Sequence, residues 1–226
     1  ASFLRPTLPR VKRLLPWDDG MHVAFEWIGE ENYLGERVPR GESRTRGRYF
    51  TSADAAVLYE TPEGGREAAL IEWKYTESYG SDSLRYSLNG TDRLSIHRNH
   101  LEAAEGPIDP SAFGSLEDLF YNPFDQLMRL QLLAWRMEQA QERGASSVTL
   151  VVIKPRANKA LGEVTSPALR TVGSDVYEVW SQLLRRPQTF AVAAFEDLWA
   201  QLDVSDFPAL ADWRVYMDRR YGWPTA

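Results

Sequence analysis

Apolar and polar side chains alternate along several short segments, a period of two that is typical of β-strands. Residues 22–29 (HVAFEWIG) alternate in this way. Residues 52–60 (SADAAVLYE) and 66–77 (REAALIEWKYTE) are two further apolar runs, and the segment TPEGGR that joins them carries the proline and glycines of a tight turn. The pattern therefore predicts three strands, of which the second and third form an antiparallel hairpin.

A different spacing predicts a long helix over residues 122–145. Apolar side chains recur at helical spacing at Leu127, Leu130, Ala134, Met137 and Ala140. Pro123 lies near the start of this segment and Gly144 at its end, as is common at helix termini. The β-branched run 147–155 that follows predicts a buried strand, so the helix forms a crossover that covers one face of the sheet.

The rest of the chain continues this mixture of helices and strands. Residues 174–186, 196–202 and 208–222 are predicted as helices and residues 189–195 as a strand, whereas the polar stretch 78–115, which includes IHRNH, is predicted to form loops. The pattern therefore predicts an α/β fold in which a mixed sheet is flanked by helices, with additional helices at the C-terminal end.

Length and composition favour one globular domain spanning all 226 residues, with a core at about 20–160 and an α/β extension at about 170–226. An apolar fraction of 43% and a charged fraction of 26% are ordinary for a soluble protein. No run of 18 apolar residues is present, which argues against a membrane-spanning segment. The lack of cysteine excludes thiolate metal sites and fits a cytoplasmic location.

A net charge of -6 is the wrong sign for a protein covered in nucleic-acid-binding surface, so any such surface must be local. The segment GERVPRGESRTRGRYF supplies five candidate arginines: Arg37, Arg40, Arg44, Arg46 and Arg48. Two interpretations remain open for it, a clamp on a phosphate backbone and an ordinary solvated loop.

One charged pair stands out at the end of the second hairpin strand. The chain has four lysines against 22 arginines, yet Lys74 follows an apolar run two residues after Glu72. Side chains two residues apart on a strand share a face, and Asp54 begins the strand across the hairpin. Two carboxylates beside a lysine suit Mg²⁺-assisted hydrolysis of a phosphoester. A simple same-face ion pair, with Asp54 as a strand-start cap, is the alternative.

The spacing of Asp54, Glu72, Trp73 and Lys74 resembles the D…(D/E)-x-K core of the PD-(D/E)XK nuclease superfamily. The segments TSADAAVLYETPEGGREAALIEWKYTESYG, PFDQLMRLQLLAWRM and VTLVVIKPRAN are also similar to a bacterial group of restriction-endonuclease-like proteins. Ala53 stands where the motif's proline would be.

This resemblance implies a restriction-endonuclease-like fold and an endo- or exonuclease that requires Mg²⁺ or Mn²⁺. Asp54 and Glu72 would bind the metal together with the carbonyl of Trp73, and Lys74 would be the catalytic lysine. Some members add an upstream glutamate, for which Glu26 is our first choice and Glu36 the second.

Others place polar residues on the following helix, where Gln126 and Arg129 are candidates for contacting nucleic acid, although a solvated helix face explains them equally well. DNA is favoured as the substrate, and pairing of two copies into a homodimer is one option that the resemblance offers. The competing hypotheses are a catalytically inactive nucleic-acid-binding or structural subunit with the same fold, and a hydrolase of another phosphoester.

Overall fold

A six-stranded mixed sheet lies at the centre of the computed structural model, which describes residues 4–17, 19–38, 40–46 and 50–222. Its strands are β1 (Arg13–Leu15), β2 (Val23–Trp27), β3 (Ala53–Glu60), β4 (Arg66–Trp73), β5 (Val148–Lys154) and β6 (Phe190–Ala194). The strand order is β1-β3-β4-β5-β6, and β2 also pairs with β3. The β1–β3, β2–β3 and β3–β4 pairings are antiparallel, whereas β4–β5 and β5–β6 are parallel.

Strand β3 organises the part of the sheet that matters for the site. The short strands β1 and β2 share one of its edges, with β1 opposite Leu58 to Glu60 and β2 opposite the half that begins at Ala53. The other edge pairs with β4 through the predicted hairpin, in which Ala55 lies opposite Ile71. The hairpin prediction is therefore confirmed.

Helices cover both faces of the sheet. They are α1 (Arg93–Leu101), α2 (Phe124–Gln139), α3 (Val176–Gln182), α4 (Phe195–Ala200) and α5 (Ala211–Tyr221). Helices α2 and α3 pack on one face, where Ala68 and Leu70 of β4 belong to the same core as Trp180. Helix α4 packs on the opposite face, beside Ala69.

The α/β class, the central sheet and the C-terminal helices are confirmed. The loop prediction for 78–115 was wrong at residues 93–101, which form α1. The side chain of Asp92 accepts a hydrogen bond from the backbone N–H of Leu94 and so caps this helix. Leu94, His97 and Leu101 are buried, and their spacing of three and four residues is the helical signal inside a polar sequence.

The end of α2 and the presence of β1 also differ from the expectation. Helix α2 ends at Gln139, and a separate 3₁₀ turn at Glu142–Gly144 follows it, because Gln141 and Arg143 adopt positive φ angles that an α-helix cannot include. Strand β1 was not predicted, since three residues are too few to show a period. Across the described residues, none of the helices is both long and apolar enough to cross a membrane.

Candidate active site

The candidate site lies where β3 and β4 reach the same end of the sheet. Ala68 and Leu70 point into the core beneath α2, so the alternation of the strand brings Glu72 to that same face. Continuing the β3–β4 register by one pair beyond Ala55 and Ile71 places Asp54 opposite Glu72. Paired residues of an antiparallel ladder have their side chains on one face, so the hairpin brings the two carboxylates together.

Glu72 and Lys74 form a buried ion pair that Gln126 completes. The Lys74 Nζ donates to Glu72 Oε1 at 2.7 Å and to Gln126 Oε1 at 2.6 Å. The Gln126 Nε2 donates in turn to Glu72 Oε1 at 2.5 Å. Glu72 and Lys74 are only 3% and 6% exposed, so this closed triangle is held away from water. The structure thus brings together three of the predicted site residues, one of them from α2.

The second carboxylate oxygen of Glu72 is different, since Oε2 is buried and has no hydrogen-bond partner among the described residues. The pKa of Glu72 is raised to about 7, chiefly by burial; the charge of Lys74 lowers it and that of nearby Asp54 raises it. A buried oxygen without a partner is costly, and Oδ1 of the buried Asp125 on α2 is in the same position, so both oxygens are able to accept a donor or a cation.

Glu142 shows that burial alone does not leave an oxygen unpaired. This carboxylate is also buried, and burial raises its pKa. Its Oε1 accepts a hydrogen bond from Trp27 Nε1 at 2.9 Å and its Oε2 accepts one from the backbone N–H of Glu30 at 2.9 Å. Both oxygens of Glu142 therefore accept hydrogen bonds, whereas only one oxygen of Glu72 does.

Asp54 is fixed by the strand opposite it. The backbone N–H of Trp73 donates to Asp54 Oδ2 at 2.6 Å. Burial raises the pKa of Asp54, with smaller raising effects from Glu26 and Glu77, while the Trp73 N–H and Lys74 lower it. Two carboxylates with raised pKa values lie side by side, which a cation would stabilise in their ionised forms.

The donor set is compatible with Mg²⁺ or Mn²⁺, which would take only part of its coordination shell from the protein. Within the described ranges, no group of three or more histidine and carboxylate side chains is close enough to bind a metal ion alone. Mg²⁺ usually takes one or two protein carboxylates and completes its octahedron with water and substrate oxygens. The unpartnered Oε2 of Glu72 and the carboxylate of Asp54 meet that requirement, and the Trp73 carbonyl lies between Glu72 and Lys74 in the chain.

Glu26 and Glu77 stand at the edge of this cluster. Glu26 lies opposite Asp54 if the β2–β3 register of Phe25 with Ala55 is continued, but its φ of 49° turns it out of the strand conformation. It is exposed and accepts a hydrogen bond from Ser52 Oγ at 2.9 Å. Glu77 lies 3.9 Å from Lys74 Nζ through its Oε1. Neither is part of the buried triangle.

The family model described as "Restriction Endonuclease associating with ARP" matches residues 4–222. The chain belongs to this family. Neither a curated protein nor a solved structure matches it. The family's description supports a restriction-endonuclease-like protein and names no metal or catalytic residue.

The five predicted arginines of this restriction-endonuclease-like protein have different surroundings. Arg44 donates to the backbone carbonyls of Gly29 at 2.8 Å and of Ile28, so it braces the chain after β2. The Arg46 guanidinium lies 4.3 Å from the centre of the Trp27 ring. Arg37 and Arg40 are exposed. Arg48 lies outside the described residues.

Arg129, the other predicted helix residue, belongs to a neighbouring cluster around Asp125. Its Nε donates to the buried Asp125 Oδ2 at 3.1 Å, and its Nη1 donates to Thr51 Oγ1 at 3.3 Å. Arg93 approaches the same Asp125 oxygen from α1, at 3.8 Å. Arg93 and His97 were not among the predicted site residues, although Asp92 followed by apolar residues at helical spacing is a signal for α1.

Proposed function

We propose that the protein is a metal-dependent nuclease of the PD-(D/E)XK type that hydrolyses phosphodiester bonds of nucleic acid, with DNA favoured. One observation carries the proposal. A buried lysine and a buried glutamate are locked together by Gln126 opposite Asp54, and the glutamate keeps one oxygen without a partner. Glu142, by contrast, has a hydrogen-bond donor on each of its two oxygens.

Each residue then has a separate task at the phosphate. Mg²⁺ or Mn²⁺ held by Asp54 and Glu72 would offset the negative charge on the phosphate under attack. Lys74 has three N–H donors, two of which bind Glu72 and Gln126, so the third can hold the attacking water or a phosphate oxygen. Gln126 fixes the orientation of Glu72, and the Trp73 N–H fixes that of Asp54. The water oxygen would bond to phosphorus and release a proton to solvent, while the bond to the 3′ oxygen breaks and that oxygen takes up a proton from solvent.

A cleavage assay tests this assignment. Single- and double-stranded DNA and RNA are incubated with the protein in Mg²⁺, in Mn²⁺ and in chelator. We expect metal-dependent cleavage that falls at least about 100-fold in Glu72→Gln and Lys74→Met. Glu105→Gln and Lys159→Met change exposed residues of the same types and serve as matched controls that should cleave normally.

Cleavage that survives both site substitutions in folded protein would refute the assignment. The alternative function is an inactive subunit of a larger assembly, which the words "associating with ARP" in the family description favour. That alternative predicts nucleic-acid binding without turnover on every substrate, with either metal, and no effect of Lys74→Met on assembly.

A further inference from the structure

A polar cavity lies beside the candidate active site, between α1, α2 and the segment that precedes β3. Its volume is about 460 Å³. The polar side chains that line it include Arg37, Ser87, Thr91, Arg93, His97 and Arg129. The whole lining comes from four separate parts of the chain, at residues 36–37, 50, 87–97 and 129, so the fold assembles the cavity.

Two of the arginines are held in place by a buried carboxylate behind the cavity wall. Asp125 is 1% exposed, and its Oδ2 lies 3.1 Å from Arg129 Nε and 3.8 Å from Arg93 Nη1. Both guanidinium groups are only partly exposed. Asp125 holds one edge of Arg129 by a hydrogen bond and Arg93 by a longer ion pair, so the remaining N–H groups of Arg129 are preorganised to bind an anion and those of Arg93 are free to join them.

His97 adds an unsatisfied polar group to the same wall. Its side chain is 3% exposed, and Nδ1 is buried without a hydrogen-bond partner among the described residues. The pKa of His97 is lowered to about 4, chiefly by burial and then by the charges of Arg129, His100 and Arg93. The nearby arginines disfavour a positive charge on His97, and a bound anion would offset the charge of those arginines.

The negative groups nearby are already engaged. Glu36 also lines the cavity, and its two oxygens accept hydrogen bonds from the backbone N–H of Thr51 at 2.8 Å and from its hydroxyl at 2.6 Å. Asp125 lies behind the wall. Three arginines therefore face one engaged glutamate, and the balance at the cavity surface is positive.

The cavity and the candidate active site share two elements. Arg129 lies three residues after Gln126 on α2, which is less than one helical turn, or about 4.5 Å along the axis. Arg129 also donates to Thr51, three residues before Asp54. The cavity therefore adjoins the candidate active site through α2 and through the chain just before β3.

We propose that the cavity of Arg93, Arg129, Arg37 and His97 binds a phosphate group of the nucleic acid next to the one that is cleaved. This proposal rests on the proposed function for the identity of the ligand, but not for the presence of a phosphate site. The phosphate has two possible sources, a terminal phosphomonoester or an internal phosphodiester of the strand. The chemistry of recognition, bidentate guanidinium contacts to anionic oxygens, is the same for both.

Binding is measured in chelator, where no cleavage is expected, by anisotropy of short single strands that carry a 5′-phosphate, a 3′-phosphate or no terminal phosphate. We expect Arg93→Gln to weaken binding about tenfold and to reduce the slope of log K against log salt by about 0.7. Arg98→Gln, an exposed arginine of α1 paired with Glu102, is the matched control and should bind normally. If Arg93→Gln fails to fold, the exposed Arg37→Gln gives the same test.

Inorganic phosphate provides an independent reading of the cavity. Its addition should shift the imidazole ¹⁵N resonances of His97 in the wild type and not in Arg93→Gln. If a terminal phosphate increases the affinity of the wild type but not of Arg93→Gln, the cavity binds a phosphomonoester. If Arg93→Gln loses the same affinity on all three kinds of strand, the cavity binds an internal phosphate. Wild-type affinity in Arg93→Gln, or an unmoved His97 resonance, would overturn the proposal. Phosphate binding in a protein that cleaves nothing would refute only the nuclease assignment.

Discussion

Replacing Glu72 by glutamine should change how the stability of the metal-free protein depends on pH. Glu72 is 3% exposed, and burial raises its pKa from 4.5 to about 7, which corresponds to about 3 kcal/mol. Between these two values the folded state binds the proton more tightly than the unfolded state. Stability from this group is therefore fully present below pH 4.5 and is lost as the pH rises through 7. Glutamine resembles the protonated form at every pH.

The assay is urea unfolding in chelator between pH 5 and pH 8.5. Near pH 5 the variant and the wild type should be about equally stable, and at pH 8 Glu72→Gln should be the more stable by up to about 3 kcal/mol. The exposed Glu105→Gln should follow the wild type throughout. Mg²⁺ added at pH 8 should stabilise the wild type and not Glu72→Gln, because the cation favours the ionised carboxylate. A stability difference that stays constant from pH 5 to pH 8.5 would show that burial does not raise the pKa of Glu72.

Two further substitutions test the supports of the site. Gln126→Met removes the hydrogen bonds of Gln126 with Glu72 and Lys74, and should lower the free energy of unfolding in urea by about 1–3 kcal/mol. Gln139→Met, at an exposed position of the same helix, is the control and should change it little. Asp92→Ala removes the N-terminal cap of α1 and should cost about 1 kcal/mol, with faster amide exchange in α1 than in α2; uniform exchange across both helices would contradict the capping role.

The proximity of Asp54, Glu72 and Lys74 could be predicted because it depends only on local rules. A period of two places Glu72 and Lys74 on one face, and a tight turn makes the neighbouring strand antiparallel. The structure confirms both steps. The position of Gln126 came from resemblance, since nothing in the helical period indicates which turn of α2 meets the end of β4.

The Asp92 cap and the spacing of the buried residues could have indicated α1, but the cavity beside it could not be predicted from local rules. The α1 sequence RLSIHRNHL is mostly polar, and its helical state depends on burying Leu94, His97 and Leu101 against other parts of the chain. A histidine in a polar run gives no sign that it will be buried and neutral. Sequence also could not separate Glu72 from Glu142, because the difference lies in whether distant donors reach both oxygens.

The register of the hairpin also limits how this protein can change in evolution. Ala55 to Glu60 pair residue by residue with Ile71 to Arg66, and the turn between the strands lies at the end farthest from Asp54 and Glu72. A slip of one residue would turn Glu72 to the other face and carry Leu70 out of the core in the same step. The turn can therefore vary in sequence, but a change of length that shifts the pairing would remove the site and the fold together.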